Sequence, residues 1–340
     1  MIRGSISVVV VNYNRRSRLE RALASIARQS LECEVIVVDN GSTDGSPDLA
    51  VPEARIILVR NHQNIGFSRA ANQGITRATG EFIALLNNDA TAHEDWLKEM
   101  RRCMQDPTVG MVAGKIVVAA NPHIIDKAGH LIWPDGQNRG RGSGEVDRGQ
   151  YDREEEVLWP DGCAALYRRT MLDEIGGFDE KFFAYGEDAE LGLRARIAGW
   201  RCLYTPHALV WHERAATLGL ASVRRVALIE QNRILLAVKH FPLRLLWLNP
   251  FYYAARLGRG MIAACAGQGE AGLFPGVCGK LRLAAGLLRG DAAALPLLPG
   301  IIWKRWFPAA PRRLNAAAIC ALIKRNRISL RALSTEVARG

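Results

Sequence analysis

Four short apolar runs recur through the first ninety residues: "ISVVVVN" at 6–12, "EVIVVDN" at 34–40, "RIILVRN" at 55–61 and "EFIALLNND" at 81–89. Rich in β-branched residues and without polar alternation, such runs read as strands buried on both faces. Between the first two lies "RSRLERALASIARQ", with apolar residues at 19, 22, 23 and 26 in a helical stripe. Further helices are predicted at about 67–78 and 93–104. Strand–helix alternation of this kind predicts an α/β fold with a mostly parallel central sheet and helices on both faces.

In such sheets ligands bind beyond the carboxyl ends of the strands. Here those ends read Asn12, Asp39, Asn61 and Asn87-Asn88-Asp89, all polar. Asp39 precedes "GSTDGS", where Gly41 and its neighbours let a ligand approach the backbone. Its carboxylate suits a nucleobase imide or a ribose hydroxyl; forming the turn is the alternative. The first turn, "NYNRRSRL", has no G-x-G-x-x-G, which speaks against a dinucleotide site. Nor does it hold the Gly-rich phosphate loop that a nucleotidyltransferase needs. Asn88 and Asp89 offer an amide oxygen and a carboxylate, hard ligands for Mg²⁺ or Mn²⁺ shared with a diphosphate. Thr91 with Glu94 forms a capping box for the next helix, so Asp89 is not needed as a cap.

Farther on, "WPDGCAALYRRTMLDEIGGFDEKFFAYGEDAELGLRARIAGW" predicts a strand at 164–168, a short helix, and a longer helix beginning near Glu187. Carboxylates at a helix N-terminus are stabilised by its dipole, which accounts for one acid. A second acid delivered by "FFAYG" suggests a base that takes a proton from an acceptor hydroxyl. Strands at 201–204 and 208–211 end in "VWHE", where His212 is either a further metal ligand or a structural hydrogen-bonder. Arg69 and Asn72 share a helix face at i, i+3, fit for a phosphate or base edge or for plain surface. The polar stretch 134–157 reads equally as a mobile loop over the site or as surface.

Taken in order, "VVVVNYNR", "VIVVDNGSTDGS", "NIGFSRAANQGI", "ALLNNDA", "GGFDEKFFAYGEDAELGLR" and "VWHE" resemble a family 2 glycosyltransferase of GT-A fold, similar to bacterial rhamnosyltransferase-like members that build cell-envelope polysaccharides. The resemblance covers roughly residues 5–240. It implies an inverting sugar transfer from a nucleotide donor (dTDP-, UDP- or GDP-linked) to a glycan or polyprenyl-linked acceptor. It implies a nucleotide site at Val11, Asn12, Asn14, Asp39, Gly41, Asn64, Arg69 and Asn88, with Asp89 and His212 on the metal. Asp188, with Glu187 beside it, stands where the base does, and Trp159, Asp161 and Gly162 lie under the sugar or acceptor. The chain departs from the pattern at Asn87-Asn88-Asp89, with one carboxylate where the family's D-x-D has two. The rival readings are a nucleotidyltransferase and a catalytically silent nucleotide-sugar-binding scaffold.

Charge divides the chain. Residues 1–223 hold 26 Lys/Arg against 30 Asp/Glu, whereas 224–340 hold 19 against 4, so the last third carries +15 of a net +11. That predicts a GT-A catalytic domain over 1–222 (a nucleotide-binding half at about 1–116, an acceptor and catalytic half at 117–222). Residues 223–340 then form a basic helical extension lying on an anionic membrane surface. Nucleic acid is disfavoured as a partner, because few aromatics interleave with the basic residues and no nucleic-acid module is recognisable. Seven scattered cysteines without a CxxC pair suit a reducing cytoplasm. With no signal peptide and no unbroken apolar run of spanning length, the expected location is the inner face of the cell membrane, peripherally attached, with a homo-oligomer left open.

Overall fold

The structure is a computed structural model that describes residues 2–48, 56–213, 219 and 221–335. Its first half follows the apolar pattern. Strands β1 (Ile2–Asn12), β2 (Cys33–Asp39), β3 (Ile56–Arg60) and β4 (Gly80–Leu86) run parallel in the order β3-β2-β1-β4. The crossover helices are α1 (Arg16–Ala27) and α2 (Phe67–Arg77). Helix α1 packs Leu19, Leu23 and Ile26 against Val8 and Val10, and α2 packs Ala70 and Ala71 against Val9 and Val38 on the other face. Gly74 lets α2 ride low on the sheet, since a Cβ there would stand 2.3 Å from a Val9 methyl.

Beyond β4 the sheet becomes mixed. The chain passes through β5 (Ala90–Ala92), α3 (Trp96–Arg102), β6 (Val109–Val118) and β7 (Asn121–Lys127). A small hairpin of β8 (His130–Ile132) and β9 (Asn138–Gly140) follows, then β10 (Glu155–Glu156), β11 (Ala164–Arg168), α4 (Arg169–Ile175), α5 (Glu187–Ile197) and β12 (Arg201–His212). Strand β11 lies antiparallel between β4 and β6, and β12 is parallel to β6. Hence β1, β2, β4, β6 and β12 all end on one edge of the ten-stranded sheet.

Several expectations change. The strands at 201–204 and 208–211 are one strand, β12, whose register to β6 shifts between Thr205 and Leu209. Helix α3 begins at Trp96 with Asp95 as N-cap, so Thr91 forms no capping box. It belongs to β5 and pairs with Trp211. The polar stretch 134–157 carries β9 and β10 and is hydrogen-bonded to its surroundings, as in Gly144 N–H to Ile125 O at 2.9 Å.

The last third is helical: α6 (Val223–His240), α7 (Leu243–Cys265), α8 (Gly276–Ala294), α9 (Leu298–Trp306), α10 (Ala316–Arg325) and α11 (Leu330–Thr335). Leu235, Leu236 and Phe241 share one core with Trp159, Phe182 and Leu193 and with Ile301, Ile319 and Ile323. Gly276–Trp306 is long and apolar enough to cross a membrane by length and composition. An unbroken-run criterion overlooks it because Arg289 and Asp291 interrupt the run.

Candidate active site

A cavity of about 560 Å³ opens at the carboxyl edge of the sheet. One side is built by strand pairing. Strand β5 runs antiparallel to the end of β12 with Ala90 opposite His212, and Glu213 N–H donates to Asp89 O at 2.9 Å. This register sets His212 Nε2 3.4 Å from Asp89 Oδ1. The other ring nitrogen, Nδ1, lies 2.7 Å from Oδ2 of Asp126, a wholly buried residue on β7. Asp89 Oδ1 is buried without a hydrogen-bond partner. Burial disfavours an imidazolium, yet the Cys163 sulfur, Asp126 and Asp89 raise His212 well above the ordinary histidine value. An imidazole fixed by Asp126 and a carboxylate oxygen 3.4 Å from its other nitrogen are donor types that a divalent metal takes in place of the imidazolium proton.

Also lining the cavity, α5 begins at Glu187, after Gly186 at φ +101° and Tyr185 at φ +67°. The segment before it is tied at both ends. Phe67 N–H donates to Phe183 O at 2.8 Å, and Asn232 of α6 donates to Ala184 O and Tyr185 O at 2.9 and 2.7 Å. Asp188 Oδ2 accepts from Gly162 N–H at 3.1 Å and lies 3.9 Å from His130 Nε2. Asp161 Oδ2 lies 2.6 Å from Lys127 Nζ and 2.9 Å from His130 Nε2. Burial opposes the Asp161 charge, but Lys127 and His130 hold its carboxyl well below the usual range. Burial and then the Asp161 charge push Asp188 up. Burial and Asp188 push Glu187 up to about 8, and Glu187 Oε2 is buried without a partner. Two buried carboxyls, both raised, thus stand side by side. His130, Asp161 and Asp188 lie within 4.8 Å of one another. They form a second candidate cluster of metal-ligating groups, with Lys127 already set against Asp161.

Val11, Asn64, Asn88, Asp89, Asp161, Gly162, Glu187, Asp188 and His212 all line the cavity. Asn12, Asn14, Asp39 and Gly41 do not line it; Asn12 and Asp39 are buried and joined to the cavity residue Asn88 by hydrogen bonds. Asn88 donates to Asn12 Oδ1 at 2.7 Å, Asn12 to Asp39 Oδ1 at 3.2 Å, and Asp39 Oδ2 accepts from Ser42 N–H at 3.0 Å. Asn14 Oδ1 accepts from Thr43 N–H at 2.8 Å. Gly41, at φ +83°, allows close approach of the chain at Gln63, where a Cβ would stand 2.7 Å from the Gln63 Cα. Arg69 and Trp159 join Asn12, Asn14, Asp39 and Gly41 as expected residues that do not line the cavity. Arg69 is an exposed side chain 3.8 Å from Glu180, because α2 turns Ala70, Ala71 and Gly74 toward the protein. Its companion Asn72 is spent on Phe178, accepting from its N–H and donating to its carbonyl. Trp159 is wholly buried, its ring stacked on His130 beneath the site, with centroids 6.0 Å apart.

Three site residues, Asp126, Lys127 and His130, lie outside the motifs named above. The signal is "IDKAGH", where an acid, a Lys and a His fall within five residues. The stretch 134–157 also reaches the site, through Gln137, Asn138, Arg139, Gly140 and Ser143.

Residues 7–176 match the family model described as glycosyl transferase family 2. The chain belongs to glycosyl transferase family 2. Among relatives of this family 2 glycosyltransferase is an N-acetylglucosaminyl-diphospho-decaprenol L-rhamnosyltransferase of Mycobacterium tuberculosis. It is 29% identical over 263 residues, 69% of this chain and 85% of the relative. The pre-mycofactocin glycosyltransferase of the same organism is 31% identical over 246 residues, 69% of this chain and 48% of its own length. A mannosyltransferase, PcManGT from Pyrobaculum calidifontis, solved with GDP-Man and Mn²⁺, superposes with TM-score 0.53 at 21% identity, covering 94% of this chain and 86% of that one. GalNAc-T7, solved with UDP, GalNAc and Mn²⁺, superposes with TM-score 0.58 at 15% identity, covering 92% and 59%. This family 2 glycosyltransferase therefore has the GT-A fold and transfers a sugar from a nucleotide donor.

Proposed function

We propose that this glycosyltransferase inverts the anomeric centre, with Asp188 as general base and Asp89 with His212 holding a divalent cation beside the donor diphosphate. The observation that carries the reading is that the Asp89–His212 pair and Asp188 line one cavity. Inversion needs the acceptor hydroxyl on the face of the sugar opposite the departing diphosphate, and a carboxylate on that side to take its proton. Asp188 supplies that carboxylate. Burial makes it a stronger base, and the Gly162 N–H fixes one of its oxygens.

Asp126 orients His212, and Asp89 brings a carboxylate oxygen to within 3.4 Å of the ring's other nitrogen. A divalent cation held there, Mg²⁺ or Mn²⁺, would act as a Lewis acid on the leaving diphosphate. Asn12 and Asp39 are joined by hydrogen bonds to the cavity residue Asn88, and we assign the nucleotide's base to Asp39. Asp161, Gly162 and the cavity-facing part of 137–143 form the acceptor side. The name of the mycobacterial rhamnosyltransferase supports rhamnose as the sugar and a diphospho-polyprenol as acceptor carrier. A lipid-linked acceptor suits a cytoplasmic protein attached peripherally to the inner membrane face through residues 223–340, with 1–222 as the GT-A domain and α6 completing its cavity.

The test is release of nucleoside diphosphate from a panel of nucleotide sugars with Mn²⁺ and a short-chain lipid-linked acceptor, using Asp188→Asn as control. Acceptor-dependent release that vanishes in the variant supports the reading; near-normal turnover in the variant overturns the base assignment.

A further inference from the structure

Residues Gly276–Trp306 form a nearly continuous helical span, α8 and α9 joined by one tight turn. Its inner face is built from small residues. Gly286, Gly290, Ala294 and Ile301 are buried, and the backbone lies directly on α6. A Cβ at Gly286 would stand 2.9 Å from Val226 Cγ1, and one at Gly290 2.6 Å from Ala227 O. The outer face is equally apolar but uncovered. Leu281, Leu288, Leu295 and Ile302 recur every seven residues and are 66, 69, 64 and 43% exposed, and Val277 and Trp306 extend the row at 77 and 63%. Seven residues are close to two helical turns, so these side chains make one straight stripe roughly 45 Å long.

Cations border the stripe. Lys280, Arg282 and Arg289 are exposed, and among the described residues none of the three has an ion-pair partner. The one acid of the span, Asp291, is turned aside to accept from the Tyr253 hydroxyl at 2.9 Å. A second copy of the chain seated on this stripe would set the cationic borders against each other. A bilayer-crossing helix would have to leave α6, to which its glycines fit it. An anionic lipid surface matches both features, taking the leucines into its acyl boundary and the Lys and Arg at its headgroups.

We propose that the outer face of α8 and α9 seats on an anionic lipid monolayer with the helix axis in its plane. In naming where the acceptor is met, this rests on the reading of a lipid-linked acceptor given above. The turn that precedes α8 carries Glu270, which lines the active-site cavity and lies 3.2 Å from Arg225. The helix thus starts at the cavity rim, and seating it brings that rim to the headgroup layer.

The experiment is co-sedimentation of the full-length protein with vesicles of phosphatidylcholine, with and without phosphatidylglycerol, read in the absence of substrate. Three proteins are compared: wild type, Leu281→Glu/Leu288→Glu/Leu295→Glu, and Lys280→Gln/Arg282→Gln/Arg289→Gln. Wild type is expected to bind only phosphatidylglycerol vesicles and to lose binding as salt rises. At about 1 kcal/mol per cation near the surface, the Gln variant should bind on the order of a hundredfold more weakly. Equal binding to both vesicle types overturns the proposal, as does unchanged binding by either variant. So do resistance to alkaline carbonate extraction, which marks a crossing helix, and a dimer that the Glu variant turns into monomer with vesicle binding intact. Diphosphate release with a water-soluble acceptor, which all three proteins should retain, reads the catalytic assignment separately.

Discussion

The side-chain amide of Asn232 donates to the carbonyl of Tyr185 at 2.7 Å, three residues ahead of Asp188. Tyr185 sits at φ +67°, a conformation costing of order 1–3 kcal/mol for a non-glycine residue. Helix α6 therefore holds open the turn that delivers Asp188, the proposed base. Asn232→Ala should lower kcat by about tenfold to a hundredfold while leaving donor affinity within about twofold, consistent with loss of one or two hydrogen bonds to a strained segment. Steady-state kinetics beside calorimetric titration of the donor separate the two quantities. An equal loss in both would point to collapse of the cavity instead.

Asp188→Asn preserves shape and the Gly162 hydrogen bond but cannot take a proton. Its kcat should fall by about 10²–10⁴, the usual contribution of a positioned base, with nucleotide-sugar binding retained in titration.

Asp126 touches no ligand, yet it fixes the ring of His212. Asp126→Asn should weaken Mn²⁺ affinity by about 10–100-fold, the typical cost of losing a carboxylate behind a ligating imidazole. Asp89→Ala should abolish metal-dependent donor binding. Both are measured by metal titration of donor affinity; an Asp126→Asn protein with unchanged metal affinity refutes the orienting role.

The base must be ionised to act, and burial with the Asp161 charge raises Asp188. Activity should therefore fall as pH drops through a midpoint above the ordinary aspartate value of about 3.9. In Asp161→Asn the repelling charge is gone while Lys127 and His130 remain, so the acid limb of the kcat profile should move to lower pH. A limb that stays in place would remove Asp161 from the set that tunes the base.

His240 is wholly enclosed beside Glu190, Lys239 and Arg194, and burial pushes it down to about 4, against the pull of Glu190. Between the ordinary histidine value of about 6.5 and 4, the unfolded chain binds a proton that the folded chain refuses. Stability should thus fall as pH drops through that window, seen as a declining melting temperature. His240→Asn should flatten the upper part of the decline.

The parallel half was legible because its strands are β-branched and unbroken and its helices show period 3.6, so the boundaries of β1, β2 and β4 fall within a few residues of expectation. The polar residues at and just beyond the strand ends were legible because they break off apolar runs, though Asn12 is bonded to Asp39 and Asn88 rather than lining the cavity. Asp126, Lys127 and His130 are less legible because strand pairing, β7 on β6 and β8 on β9, carries them in, and the clustering in "IDKAGH" does not by itself say where that pairing aims them. Arg69 misled because i, i+3 spacing identifies a shared face but not which way that face turns. The small residues of α2 decide that, and they take the sheet side.

The common core of Trp159, Phe182 and Leu193 with Leu235, Leu236 and Ile319 has a practical corollary. Trimming the chain after residue 222 would strip away Asn232 and bare the underside of α5, so a truncated enzyme should come out greasy and inert rather than tractable. Anyone seeking a crystallisable form does better to repaint the Leu281–Leu288–Leu295 ridge with polar side chains and keep every helix.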